Sequence, residues 1–203
     1  MRPASPRPAT GEPAGTVRVL KRDGGRGVYL VDKGGTRSVV KRWPLTPWEA
    51  VKLVLGIAQA QRQLRGARRL RAAGIRTGEP QGGVRLRLDH GLHVEIRLAW
   101  VEGELLLHRL RSADAELSEL LGRRMGELLV RLADAGLFHR DAKLTNFVVD
   151  ADGEIIALDP VGVRASRDPA SERERLRRTL LCELTPDEAR RCQPFIERAL
   201  ATR

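Results

Sequence analysis

Two glycine pairs set close together, in TVRVLKRDGGRGVYLVDKGGTRSVVK (residues 16–41), constrain this chain more than any other feature. Short β-branched runs over residues 16–20, 28–31 and 38–41 are punctuated by DGGRG and DKGG. Paired glycines admit the tight turns that reverse a strand onto its neighbour, so the stretch reads as three antiparallel strands. Two further runs, VRLRL (residues 84–88) and LHVEIRL (residues 92–98), alternate apolar and polar residues as half-buried strands do. Between the two groups, Thr46 and Glu49 have capping-box spacing and Pro47 occupies the first helical position. Helical sequence continues from there, with a break at Gly56, to a stop at Gly74. The expectation for residues 16–99 is a five-strand sheet with one helical insertion.

Trp100-Val101-Glu102-Gly103 leaves the sheet and the pattern changes. Leu117, Leu120, Leu121, Met125, Leu128, Leu129 and Leu132 recur at three and four, the spacing of one helix face. Gly136 ends that helix. Runs at residues 147–149 and 155–158 flank Asp150-Ala151-Asp152-Gly153, a hairpin with a turn-forming Asp-Gly. The Arg- and Glu-rich remainder reads as one or two helices. Residues 100–203 therefore form a second, mostly helical part, and the fold class is α+β. With 41% hydrophobic but only 3% aromatic residues, the core must be aliphatic. Residues 1–15, with four prolines and no apolar run, read as a disordered leader rather than a signal or anchor. No apolar run is long enough to span a bilayer. Cys182 and Cys192 supply neither a disulfide framework nor ligand spacing, and read as buried free thiols in a reducing cytoplasm.

The net charge of +11 points to an anionic partner. Only five of the 37 basic residues are lysine, and Asn146 is the sole asparagine. In a chain so poor in both, chemistry that Arg or Asp cannot perform becomes a better reason for each one kept. Lys143 and Asn146 fall in GLFHRDAKLTNFVVD, between the long helix and the hairpin, and Asp159 follows the hairpin. Phosphoryl transfer asks a protein for charge neutralisation, metal placement and a carboxylate near the attacking hydroxyl. An Asp–Asn pair and a second Asp supply hard oxygens for Mg²⁺ and that carboxylate, and a nearby lysine offsets growing charge.

HRDAKLTN resembles the protein-kinase-type catalytic loop, H-R-D-x-K-x-x-N; Asp159 in ALDPV stands where that family has its metal-binding Asp, and Val39-Val40-Lys41 resembles the V-A-I-K strand. The resemblance implies a bilobal kinase-like fold, with the sheet and helix as N-lobe and a short helical C-lobe. It implies Asp141 as base, Lys143 as phosphate contact, Asn146 and Asp159 as metal ligands and Lys41 as clamp on the phosphates of ATP. Within the superfamily, LKRD, VVKRW, RRLRAAGI, WVEG, HRDAKLTN and LDPVGVR together resemble the bacterial lipopolysaccharide-core and Kdo kinases, over residues 17–178. That implies ATP- and Mg²⁺-dependent phosphorylation of a sugar hydroxyl on an anionic glycolipid, in the cytoplasm at the inner-membrane surface.

Three departures bear on this. Gly24, Gly25 and Gly27 lack the full G-x-G-x-x-G, so a phosphate-covering loop and a plain hairpin turn both remain open. The helix lacks the Glu expected to pair with Lys41; Glu49 serves as a cap and Gln63 sits nearer the expected place. Asp159-Pro160-Val161 replaces D-F-G, no A-P-E follows in the 203 − 159 = 44 residues after it, and the expectation is that a protein-substrate platform is lacking. A minimal RIO-like protein kinase and an inactive, nucleotide-binding pseudokinase are the rival readings. Arg62, Arg65 and Arg69 share a helix face that suits anionic headgroups or phosphorylated sugars, and equally a solvated surface. Scarce aromatics argue against nucleic acid. His139 reads as structural, and His90, His93 and His108 lack metal-ligand spacing.

Overall fold

The computed structural model describes residues 12–89, 91–166 and 168–201. Residues 1–11 of the expected leader, and His90, lie outside them. Residues 12–15 are a turn in which the Pro13 carbonyl accepts from the Thr16 N–H and hydroxyl. The fold is mixed α+β and divides into two compact units, residues 1–61 with 79–100 and residues 62–78 with 101–203.

The first unit is the expected five-stranded antiparallel sheet. Strands β1 (Thr16–Asp23), β2 (Arg26–Lys33), β3 (Thr36–Pro44), β4 (Arg85–Leu88) and β5 (Leu92–Ala99) lie in the order β1-β2-β3-β5-β4. The β1–β2 connection is Gly24-Gly25, with φ of 51° and 79°, and a second glycine pair joins β2 to β3. Both residues of such a turn need left-handed backbone, and its twist matches that of the strands, which is why glycine pairs sit here. Lys41 lies on β3, the central strand, opposite Val28 on one side and Ile96 on the other.

The alternation in β5 leads to a different environment from the one expected. Glu95, on the polar face, is 0% exposed. Arg42 directly across on β3 bonds it at 2.8 Å and Arg97 at 3.1 Å, Arg87 stands 3.7 Å away as an ion pair, and Arg42 also reaches Asp89 at 2.8 Å. The carboxylate is buried under its own counter-ions, as a charge out of water must be.

Helix α1 (Pro47–Val54) starts as the sequence indicates, Thr46 Oγ1 accepting from the Glu49 N–H at 3.2 Å. The Glu49 carboxylate turns to Lys52, 2.7 Å away. Chain direction changes at Gly56, and α2 (Gln59–Ala72) follows. It ends in a Schellman cap, Gly74 N–H to the Arg71 carbonyl and Ile75 N–H to the Leu70 carbonyl, with Leu70 and Ile75 both in the core.

From Arg62 onward α2 counts with the second unit rather than with the sheet. The reason is close packing on the segment after Ala157. A Cβ at Gly66 would stand 1.8 Å from the Pro160 carbonyl oxygen, and Arg69 donates to the Val163 carbonyl at 3.3 Å. The chain after α2 stays there, Thr77 Oγ1 donating to the Ala157 carbonyl at 2.6 Å. The axis of this unit is α4 (Ala115–Asp134), capped by Asp114. Its Leu121, Met125, Leu128, Leu129 and Leu132 are buried, as the periodicity indicates. A second face of α4 is buried as well: Gly122 and Gly126 lie so near α6 (Pro186–Ala201) that a Cβ would come within 2.7 Å of the Cys192 carbonyl and 2.5 Å of Ala199. Short α3 (Leu106–Arg111) and α5 (Pro169–Leu181) complete the helices. Cys192 is buried and its thiol is pushed up to about 11 by desolvation. Cys182, by contrast with the buried thiol expected, is exposed.

Gly66→Val should lower stability by about 1–3 kcal/mol, the usual cost of forcing volume into packed backbone, read as a fall in urea midpoint. Gly83→Ala is the control, since nothing lies within 4 Å of its Cβ position; it should leave the midpoint unchanged.

Candidate active site

Strand β7 (Leu137–His139) follows α4 after a turn at Gly136, and all three of its residues are buried. It pairs with β10 (Val163–Ala165), and β8 (Phe147–Val149) pairs with β9 (Ile155–Ala157) and with β6 (Glu104–Leu105). The loop 140–146 hangs between β7 and β8, closing with a 3-10 turn at Leu144–Asn146. Ala142 and Leu144 are buried, so the alternate residues Asp141, Lys143 and Thr145 turn outward. Two small apolar anchors thus present three polar groups.

Asn146 organises the loop. Its Nδ2 donates to the Asp141 carbonyl at 2.8 Å and to Asp141 Oδ2 at 3.1 Å. With both amide hydrogens committed to Asp141, the amide oxygen is the atom Asn146 can offer to a cation. Lys143 Nζ stands 3.8 Å from the other carboxylate oxygen of Asp141. The Asn146 carbonyl accepts from the Leu158 N–H at 2.8 Å, tying the loop to the residue before Asp159. On the far side of Asp159 the chain forms a 3-10 turn, Pro160–Gly162, whose Gly162 carbonyl accepts from the Arg140 N–H at 3.2 Å. A Cβ on Gly162 would stand 3.2 Å from the Asp141 nitrogen. Asp141, Lys143, Asn146 and Asp159 therefore belong to one folded knot of chain.

His139 lies beneath it, 1% exposed. Its Nδ1 accepts from the Asp141 N–H at 3.3 Å, while Nε2 has no hydrogen-bond partner among the described residues. Burial depresses the imidazole below its usual range, against the pull of the Asp159 and Asp141 carboxylates, which favour the charged ring. The neutral ring is a backbone prop for Asp141, the structural role the sequence suggests.

One residue that sequence reasoning missed holds the loop from outside. Glu183 accepts from the Thr145 N–H at 2.9 Å and from its hydroxyl at 2.9 Å, fastening the 3-10 turn between Lys143 and Asn146. Nothing distinguishes Glu183 within the Arg- and Glu-rich C-terminal sequence.

The remaining expected site residues lie in the first unit. Lys41 is half-buried on β3. Gly24 and Gly25 have a folding reason, the turn itself. So does Gly27, where a Cβ would meet the Tyr29 hydroxyl at 2.2 Å. Gln63, in the second unit, is 1% exposed and its Nε2 lacks a hydrogen-bond partner among the described residues.

Asp141, Asp159 and the Asn146 amide oxygen are hard-oxygen donors of the kind Mg²⁺ takes, an ion commonly held by one or two carboxylates plus substrate phosphates. Among the described residues no three His, Cys, Asp or Glu side chains converge on a closed metal cage. No protein-family model matches the chain, and no curated protein matches it.

Two outcomes check this geometry. Because the folded state holds the His139 pKa below its ordinary 6.5, the unfolded chain takes up that proton first on acidification. The stabilising effect is complete above about pH 6.5 and declines as pH falls towards the depressed value. Thermal midpoints should drop between about pH 6.5 and pH 5 in the wild type and less steeply in His139→Gln. Glu183→Ala should speed hydrogen exchange of the Thr145 amide by about tenfold or more, since a charge-assisted hydrogen bond is lost.

Proposed function

We propose that this chain is an ATP- and Mg²⁺-dependent phosphotransferase with a protein-kinase-like bilobal fold, acting on a hydroxyl group. The observation that carries the reading is Asn146 donating both amide hydrogens to Asp141, which fixes a carboxylate and an amide oxygen side by side. Asp141 accepts the acceptor's hydroxyl proton as the new O–P bond forms and the bond to the ADP leaving oxygen breaks. Lys143, across the Asp141 carboxylate, contacts the transferred phosphate. Asn146 Oδ1 and Asp159 would hold Mg²⁺, which supplies charge neutralisation at the phosphates when bound. Lys41 would take the α/β-phosphates, and backbone amides of the hairpin at Gly24, Gly25 and Gly27 would approach them.

The acceptor we favour is a sugar hydroxyl of lipopolysaccharide core or a similar anionic glycan, on the motif resemblance described above. Helices α5 and α6 support a non-protein acceptor: Leu176, Leu180, Cys192 and Ile196 are spent in the core rather than offered as a peptide platform. A second reading, a nucleotide-binding scaffold without turnover, is favoured by Gln63, whose neutral amide replaces the acid expected in that helix and cannot offset a lysine's charge.

Asp141→Ala should reduce turnover by at least about a hundredfold with nucleotide affinity preserved. Asp159→Ala should abolish the Mg²⁺-dependent part of the thermal shift produced by ATP. Equal turnover in wild type and Asp141→Ala would overturn the assignment, and an ATP shift indifferent to Mg²⁺ in the wild type would favour the scaffold.

A further inference from the structure

The five-stranded sheet has two edges, β1 and β4, and they differ. Strand β1 is irregular: its register against β2 shifts between Thr16 and Arg18 and again between Val19 and Lys21. Bulges of this kind twist an edge away from further pairing. Strand β4 keeps an unbroken register against β5 from Arg85 to Leu88, and all four of its residues are exposed. Among the described residues its backbone makes no hydrogen bond outside the β5 ladder. Alternate N–H and C=O groups of such a terminal strand point away from the sheet, where another strand can take them.

The side chains along this edge sort by face. Leu86 stands opposite Val94 and Leu88 opposite Leu92, which puts Leu86, Leu88 and Leu92 on one face, 55%, 84% and 43% exposed. Arg85, opposite Glu95, and Arg87, opposite His93, take the other face. There the charge does not balance. Arg42, Arg87 and Arg97 pair with Glu95, and Arg42 also with Asp89. Arg85 has no ion pair among the described residues and adds a fourth arginine against those two carboxylates. A second copy of the chain fits this edge poorly. In either register that sets the leucines of two β4 strands side by side, arginine meets arginine, and like charges directly opposite are destabilising. An acidic strand meets opposite charge at the same positions.

We infer that β4 is a docking edge for an extended acidic segment of a partner protein, one whose carboxylates alternate with apolar side chains. The segment extends the sheet by main-chain hydrogen bonds, with its carboxylates beside Arg85 and Arg87 and its apolar side chains beside Leu86 and Leu88. The inference is independent of phosphotransfer, since none of these residues belongs to the loop around Asp141.

The test uses the full chain and a fluorescent, end-capped peptide of alternating valine and glutamate. A second peptide carries lysine for glutamate, and a third keeps the first one's side chains but is methylated at its backbone nitrogens. Anisotropy should show the acidic peptide bound about tenfold or more tighter than either of the others. Hydrogen exchange should slow at residues 85–88 when it binds. Arg85→Glu, at an exposed position, should narrow the preference for glutamate over lysine with circular dichroism unchanged. The proposal fails if the acidic peptide does not bind at millimolar concentration, if protection falls outside residues 85–88, or if Arg85→Glu leaves the preference as it was. It fails equally if the methylated peptide binds as tightly, since net charge alone would then explain attraction. Concentration-dependent self-association that protects residues 85–88 without peptide would assign the edge to a second copy and overturn the inference.

Discussion

In the second unit the backbone of α2 lies against the Pro160 carbonyl at Gly66, with no space for even a methyl group. That contact, extended by Arg69 to the Val163 carbonyl and by Thr77 to Ala157, presses α2 onto the segment bearing Asp159. The same segment pairs with β7, wraps the Asp141 backbone through Gly162, and receives the Asn146 carbonyl through Leu158. The loop, the Asp159 segment and the helix are thus joined both by backbone contacts, at Gly66, Gly162 and Leu158, and by side-chain donors, Arg69 and Thr77.

Charge is handled by two different devices. In the sheet, the fully buried Glu95 is surrounded by arginines from three strands, and their planar donors can share one carboxylate from several directions. In the loop, by contrast, Asp141 and Lys143 stay partly open to solvent, and order comes from the neutral Asn146 and His139. The arginine bias of the chain serves packing in the first case, while the scarce Lys143 and Asn146 flank the Asp141 carboxylate in the second.

What could be read beforehand divides along physical lines. The glycine-pair turns, the Thr46–Pro47 helix start, the Gly74 stop, the α4 stripe and the Asp152-Gly153 hairpin all rest on forces between residues a few positions apart, so their signals are local. The three-residue strands β7 and β10 have no such signal, because each exists only by pairing with the other across the chain. Glu95 looked like a solvent-facing member of an alternating strand; only the arrival of arginines from neighbouring strands makes its burial tolerable. The second buried face of α4 escaped notice for a related reason, since glycines at 122 and 126 carry no hydrophobic signal and acquire meaning only when α6 packs on them. The loop between the long helix and the hairpin was legible from its residue types and spacing. The prop beneath it, an α2 backbone without side chain at Gly66, and the clasp beside it, Glu183, were not.

That clasp has a consequence for how the protein comes into being. Thr145 and Glu183 are 38 positions apart, so the turn presenting Lys143 and Asn146 gains its outer fastening only after α5 has been made. During synthesis, at a pace of roughly 5–20 residues per second, the nascent chain passes through an interval in which the loop exists but is not secured. The loop is therefore fastened late, only once α5 and Glu183 beyond it have been made.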